Sequence, residues 1–129
     1  MFTIDQIKAA HSKVKSGADF PNYIQDIIKL GVIYYETFVH DGHTEFHGKD
    51  NYQITSPPKY DALVVADKSN GEKFISDLQI HQKGGSDYPT FCKQSAENGI
   101  EKWAVDTSKM TCTYYNKARK QILEEKIPG

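Results

Sequence analysis

The chain repeats its own pattern at a spacing of 68 residues, and this repeat limits its possible folds more than any other feature. Shifting the sequence by 68 residues without a gap places residues 17–48 on 85–116, with Gly17, Asp19, Pro21 and Gly31 meeting identical residues. Four of the five aromatic residues in the second window fall on aromatic residues in the first, where random placement predicts about one. The aromatic pairs are Phe20 with Tyr88, Tyr23 with Phe91, Tyr35 with Trp103, and Phe46 with Tyr114.

Each unit is predicted to contain two helices followed by three strands. The first unit begins with a capping box of Thr3 and Gln6, and its second helix runs from an Asp19 N-cap to a left-handed Gly31. Pro21 lies in the first turn of that helix, where a missing amide donor costs nothing. The corresponding residues of the second unit are Ser69 with Glu72, Asp87, Gly99 and Pro89.

The third extended segment of each unit is predicted at residues 52–55 and 121–127. Local propensity alone would make KARKQILEEK, residues 117–126, a helix, but the repeat favours a strand there. The units span 1–58 and 69–129, and residues 59–68 form a connector with a short strand over Leu63 to Ala66. Because neither half alone would bury much core, we expect one α+β domain over residues 1–129. This domain would pair two pseudo-symmetric α-α-β-β-β units through an antiparallel sheet.

Composition excludes some classes of partner. The 129 residues include 16 Lys plus Arg and 17 Asp plus Glu, so no global positive field attracts nucleic acid or an anionic membrane. No apolar run approaches the roughly 20 residues that span a bilayer, and residues 1–14 lack the apolar centre of a signal peptide. We therefore expect a soluble, cytoplasmic protein. Cys92 and Cys112 are predicted to be reduced thiols, because their number and spacing fit neither a disulfide scaffold nor a metal knuckle.

The stretch Tyr34 to Gly48, YYETFVHDGHTEFHG, is predicted to be a β-hairpin with a two-residue turn at Asp41-Gly42. This turn would place residue 40 opposite 43, 39 opposite 44, 38 opposite 45, 37 opposite 46 and 36 opposite 47. The apolar positions then share one face with the matching positions of the second unit, which turns near Ser108-Lys109. The predicted core face carries Tyr35, Thr37, Val39, Thr44 and Phe46 in the first unit and Trp103, Val105, Thr107, Cys112 and Tyr114 in the second.

The opposite face of this hairpin carries the candidate metal ligands. His40 and His43 would face each other across the turn, and Glu45, or alternatively His47, could supply a third ligand for zinc. Polar side chains on an exposed hairpin face need no function, however, and the second unit replaces the histidines with Ser108, Thr111 and Tyr115. We therefore expect no cofactor and no functional metal, and keep His40, His43 and Glu45 as the candidate zinc ligands.

Other reactive residue types have simpler explanations. Cys92 follows a helix start that could activate a thiol, yet its repeat partner is the apolar Ile24, which favours a buried position. His11 lies on the apolar stripe of the first helix, and no nucleophile accompanies it. Asp19 and Asp87 are explained as helix caps. No phosphate-binding or dinucleotide-binding glycine motif is present.

The stretches SGADFP, YYETFVHDG and SDYPTFC, continuing through GIEKWAVD to MTCTYY, resemble the YbcV-like family of small bacterial proteins. The resemblance implies a small α+β domain. Some members carry the label "phage envelope protein", and no catalytic residue is implied. Because no nucleophile and base occur together in both halves, we expect a protein of unknown function that acts as a non-enzymatic binding module. Its partner would be another protein or a second copy, contacted by the sheet or the groove between units. The alternative is a small metal-dependent or ligand-binding enzyme that uses the first hairpin or this groove.

Overall fold

The computed structural model describes residues 1–15 and 17–128. Each half of the chain runs helix, helix, strand, strand, strand, which confirms the predicted fold class. The first half contains α1 (Ile4–His11), α2 (Phe20–Leu30), β1 (Tyr34–Phe38), β2 (Thr44–His47) and β3 (Gln53–Thr55). The second half contains α3 (Gly71–Gln82), α4 (Tyr88–Glu97), β4 (Ile100–Asp106), β5 (Thr111–Asn116) and β6 (Gln121–Lys126).

All six strands form one antiparallel sheet in the order β3-β2-β1-β4-β5-β6. The central pair, β1 with β4, joins the two halves, and its register is pseudo-twofold. Glu36 lies opposite Ala104, the residue 68 positions later, so the pseudo-twofold axis passes between these two residues. The hairpins share a register as well: Tyr35 pairs with Phe46, and Trp103 pairs with Tyr114.

Backbone conformation follows the same spacing. Three left-handed positions in the first half have left-handed partners 68 residues later: Gly31 with Gly99, Gly42 with Met110, and Asn51 with Arg119. The two Gly42 and Met110 positions close their hairpin loops, where a left-handed residue reverses the chain. Met110 therefore has a left-handed backbone conformation, which glycine adopts freely and residues with a side chain adopt less readily.

The helix boundaries largely follow the predicted caps. Thr3 and Gln6 form the capping box, and the Asp87 side chain accepts a hydrogen bond from the backbone N–H of Thr90. Two cap predictions were wrong. Asp19 makes no side-chain cap bond to α2, because its Oδ2 accepts from the backbone N–H of Lys15 instead. Helix α3 is capped by Asn70 and not by Ser69, since the Asn70 side chain accepts from the N–H of Lys73.

The faces of the first hairpin were predicted correctly, but its register was wrong. The predicted core residues of this hairpin are all buried, although Thr107 on the corresponding face of the second unit is only half-buried. Thr37 lies opposite Thr44, two positions away from the predicted pairing. The loop spans residues 39–42 and is closed by hydrogen bonds between Phe38 and His43 and between Gly42 and Phe38. Gly42 is left-handed and Asp41 is not, so the two-residue type I′ turn does not form. A slip of two residues preserves both faces, which is why the faces survive the register error.

The connector is irregular, and the predicted strand over Leu63 to Ala66 is not formed. Its backbone bonds go to elements of both halves. The Leu63 N–H donates to the His40 carbonyl in the first hairpin loop, and the Ala66 N–H donates to the Ala96 carbonyl in α4. The Tyr60 hydroxyl donates to the carbonyl of Val39. These single bonds hold the connector against the domain without a strand partner.

Candidate functional site

A groove of about 900 Å³ lies between the helices and the inner face of the sheet. Its floor comes from the central strands of both halves, where Tyr35 and Phe46 meet their counterparts Trp103 and Tyr114. Its walls come from the first and second helices of each half. The aromatic wall residues are Phe20, Tyr23, Tyr88 and Phe91. The groove therefore crosses the boundary between the two units, where the pseudo-twofold relation brings together the aromatic positions that coincide in sequence.

Polar groups on the floor are few and differ between the halves. In the first half the hydroxyls of Thr37 and Thr44 hydrogen-bond each other at 2.9 Å while buried. The corresponding residues of the second half are the apolar Val105 and the buried thiol Cys112. The groove thus has pseudo-symmetric rings but an asymmetric set of hydrogen-bonding groups, so its two ends differ chemically.

Each half places one histidine of its first helix against an aromatic ring of its second. His11 meets the Tyr23 ring edge-on at 5.2 Å between centroids, and His81 stacks on Phe91 at 4.4 Å. The His81 Nδ1 lies 3.0 Å from the carbonyl of Ser86, so Nδ1 carries the proton that is donated. Desolvation lowers the pKa of both histidines, and Lys59 lowers that of His11 further. Both rings therefore stand in the groove wall as neutral imidazoles at neutral pH.

Two lysines lie beside His11 at the α1 end of the groove and make this end cationic. Lys8, His11 and Lys59 line it together, and the Lys59 ammonium lies 5.7 Å from the centroid of the Tyr88 ring. Although Lys59 is exposed as a residue, desolvation of its ammonium lowers its pKa, and the neighbouring Lys8 adds to this effect. Within residues 1–15 and 17–128, no carboxylate lies within 4.0 Å of Lys8 or Lys59.

Both thiols are buried. Cys92 is fully inaccessible, and burial raises its pKa against opposing effects of the neighbouring Tyr60, Tyr88 and Lys59. Burial also raises the pKa of Cys112, to about 12. A protonated thiol is a poor nucleophile, so neither cysteine has the electrostatic environment of a catalytic thiolate. Both are free cysteines.

Two of the three histidines of the first hairpin, His40 and His43, form a compact cluster around Asp41. Possible ligand atoms of His40, Asp41 and His43 all lie within 4.8 Å of one another. The Asp41 carboxylate accepts from the backbone N–H of His43 and contacts the His43 Nδ1, while its other oxygen lies 3.3 Å from the His40 Nε2. Burial is the largest single effect and raises the pKa of Asp41, but the hydrogen bonds from His43 and the charges of His43 and His40 together outweigh it, so the pKa is lowered. Asp41 thus occupies the space between the two imidazoles as an ionised carboxylate.

The predicted ligands do not converge on one point from three directions. His40 lies in the loop instead of opposite His43 in a strand, although the two rings remain 5.6 Å apart. Glu45 approaches the other side of His43, with its Oε2 4.0 Å from Nε2, whereas Nδ1 faces Asp41. His47 pairs with Tyr34, further along the hairpin. The nearest set of three donors is therefore His40, Asp41 and His43, with Asp41 in the place predicted for Glu45.

A comparison with protein families decides where this chain belongs. Residues 8–126 match the model of a family described as "Protein of unknown function (DUF1398)", and this range runs from the second half of α1 to the end of β6. The chain belongs to the DUF1398 family. The match carries no activity, and it gives neither the YbcV-like name nor a phage label. No curated protein matches the chain significantly.

Two features of the site in this DUF1398 family member do not follow from the sequence: the role of Asp41 in the hairpin loop and the position of Lys59 in the groove. The sequence predicts Asp41 only as a turn residue, although an Asp with a histidine directly before it and another two residues after it is well placed to accept from both. Lys59 and Tyr60 lie in the predicted connector, where the sequence suggests a binding surface for Tyr60 and no particular role for Lys59. The Pro57-Pro58 pair ahead of them marks the end of the strand region, but no periodic pattern indicates that Lys59 turns into the groove. No helix of the described residues is long and apolar enough to cross a bilayer.

Proposed function

We propose that this protein is a binding module for a small, largely apolar organic molecule, held in the groove between the two units. The single observation that carries the proposal is the groove itself: about 900 Å³, walled by aromatic rings from both halves, with few polar groups. Small-molecule sites in proteins fall in this range of volume and this balance of apolar to polar lining. Such rings supply large contact areas with little conformational entropy to lose.

Binding rather than catalysis is favoured by the chemistry of the lining. The buried thiols are protonated, and the two groove histidines are held by ring contacts and, for His81, by the Ser86 carbonyl. A catalytic set needs a nucleophile within hydrogen-bonding reach of a base that a third group orients. Among the described residues that line the groove, the hydrogen bonds do not build such a set. The phage-related label contributes nothing to the proposal.

The proposal is tested with the neutral fluorophore N-phenyl-1-naphthylamine. Titration into the native protein is expected to give a saturable, one-to-one rise in probe fluorescence. Thr37→Phe places a ring on the groove floor and is expected to weaken binding at least tenfold, about 1.4 kcal/mol. Val64→Phe adds the same ring at a position that is 89% exposed and outside the groove, so it serves as the matched control.

Circular dichroism in the near and far ultraviolet checks that each variant is folded. If Thr37→Phe does not fold, Ser12→Trp replaces it, because Ser12 is exposed and lines the groove directly after the end of α1. Absence of saturable binding to the native protein would overturn the proposal. So would equal binding by the wild type and a folded groove-filling variant.

A further inference from the structure

The groove has an uneven distribution of charge. Four lysines line it, Lys8, Lys15, Lys59 and Lys126, against two acidic residues. Both acids have partners: Asp87 accepts from the N–H of Thr90, and Glu125 accepts from the side chain of Gln82 at 2.9 Å. Lys8 and Lys59 have no such partner among the described residues. The two carboxylates of the groove thus accept hydrogen bonds from protein groups, while Lys8 and Lys59 at the cationic end have no carboxylate partner among the described residues.

The cationic end adjoins the apolar floor directly. His11 lies 6.2 Å from the Tyr88 ring, centroid to centroid, and the Lys59 ammonium lies over the same ring. Desolvation is the main cause of the lowered pKa of both Lys59 and His11. Lys8 also lowers the pKa of Lys59, against an opposing effect of Cys92, and Lys59 lowers the pKa of His11 further. A bound anion would offset the repulsion between like charges in a partly desolvated site, and it would favour the charged forms of these side chains. The arrangement therefore suits a ligand that brings a negative charge next to an aromatic surface.

We infer that the ligand of the groove is an amphipathic organic anion, with its apolar body on the aromatic floor and its carboxylate or sulfonate group between Lys8 and Lys59. This inference rests on the proposed function, because it assigns the chemical class of the molecule that the groove holds. A hydrogen bond from an ammonium to an anionic oxygen is about twice as strong as one between neutral groups, and the partly dry site strengthens it further. The rings supply affinity for the body, and the lysines select the anionic end.

Two probes that differ by one group separate this inference from the proposed function. 8-Anilinonaphthalene-1-sulfonate has the skeleton of N-phenyl-1-naphthylamine with an added sulfonate. The double variant Lys8→Met, Lys59→Met removes both ammonium groups while keeping side chains of similar length. It is expected to weaken binding of the sulfonate at least tenfold and to change binding of the neutral probe less than twofold. Lys93→Met is the control, because Lys93 is exposed and outside the groove lining.

Each result has one meaning. Selective loss of the sulfonate supports the inference, together with weaker sulfonate binding at higher salt. If both probes bind and the folded double variant affects both equally or neither, the anion assignment is wrong while the groove function stands. If neither probe binds the native protein, the proposed function fails and takes the inference with it. If the double variant does not fold, Lys59→Met alone is used, with a smaller but still selective loss expected.

Discussion

Asp41 shows how one side chain can set the conformation of a loop. Its carboxylate accepts from the backbone N–H of His43 two residues later, which is an Asx-turn, and it contacts both neighbouring imidazoles. The His43 ring stacks on Phe38 at 4.6 Å, which fixes the orientation of the imidazole. The cluster is therefore satisfied by its own hydrogen bonds, and a metal ion would have to displace some of them.

We predict that the hairpin binds zinc more weakly than micromolar. An ion held by His40 and His43 would compete with the Asp41 hydrogen bond to Nδ1, while Glu45 lies on the side of Nε2. Isothermal titration of chelator-treated protein with zinc at neutral pH measures the affinity. Binding of one equivalent at micromolar affinity or better would contradict the prediction if His40→Ala with His43→Ala abolished it. His47→Ala is the matched control, because His47 lies on the same hairpin face away from the cluster.

The surroundings of single side chains followed only in part from the sequence. The inside or outside position of Tyr35, Phe46, Trp103 and Tyr114 followed from alternation, because the period of a strand assigns every second side chain to one face. The partner of Asp41 did not follow, because it depends on a loop length that the sequence signals only through Gly42. Predicting a hydrogen bond between side chains requires atomic positions accurate to a few tenths of an ångström, whereas assigning a residue to a face of the sheet requires only the alternation along the strand.

Among the elements, the strand β6 is the most instructive. The segment KARKQILEEK has helix-forming residues, yet β6 pairs with β5 from Thr111 opposite Lys126 to Tyr115 opposite Gln121. Pairing with an open strand edge satisfies a row of backbone groups, which outweighs a modest propensity. The repeat predicted this strand because the first half has β3 at the same position. The shift in register between Tyr114 and Tyr115 has no counterpart in the shorter β3 and was not predictable.

The contact between the first and second helix of each half predicts a pH dependence of stability. Burial lowers the pKa of His11 and of His81 below the ordinary value of 6.5, so the unfolded chain binds more protons than the folded one below that pH. Stability from these sites is complete above pH 6.5 and falls as the pH drops through 6.5 toward the lower folded pKa. Lys59 beside His11 increases this effect, and Ser86 and Asp87 beside His81 oppose it.

Urea denaturation at pH 7.5 and 5.5, followed by far-ultraviolet circular dichroism, measures this dependence. The midpoint is expected to be lower at pH 5.5. The double variant His11→Asn, His81→Asn is expected to show a smaller difference between the two pH values, because asparagine does not titrate and can still donate to the Ser86 carbonyl. The three hairpin histidines stay in place and serve as an internal control. A wild-type midpoint that rises on acidification would show that charging the groove histidines stabilises the fold.

At the scale of the whole molecule, the seam between β1 and β4 decides how the halves depend on each other. Tyr34–Phe38 pair with Asp106–Lys102 in the centre of the sheet, and each strand would become an exposed edge without the other. On the outer face Lys102 and Glu36 form an ion pair across this seam, with each side chain less than a fifth exposed. On the inner face the groove floor takes rings from both halves. A loss of structure in one half therefore removes strand pairing and core contacts from the other.

This coupling predicts that the two halves unfold as one cooperative unit. Ile24→Ala truncates a fully buried side chain in α2 of the first half and is expected to cost about 2 to 5 kcal/mol through the cavity it leaves. The single tryptophan, Trp103, lies on β4 with its ring against Phe91 and Tyr114, so its fluorescence reports mainly on the second half. In urea, the variant should shift the midpoint by the same amount in Trp103 fluorescence and in far-ultraviolet circular dichroism, which reports both halves.

Lys29→Ala is the matched control on the same helix, because Lys29 is exposed and its truncation should change either midpoint by no more than about 0.5 kcal/mol in stability. If Ile24→Ala is unfolded without urea, Ile24→Val provides a milder step of about 0.5 to 1.5 kcal/mol. A Trp103 transition that stays at the wild-type midpoint while circular dichroism shows an earlier loss would mean that the second half folds alone. The groove would then be less stable than the whole fold. Its floor is shared between the halves, so it would be lost whenever either half unfolded on its own.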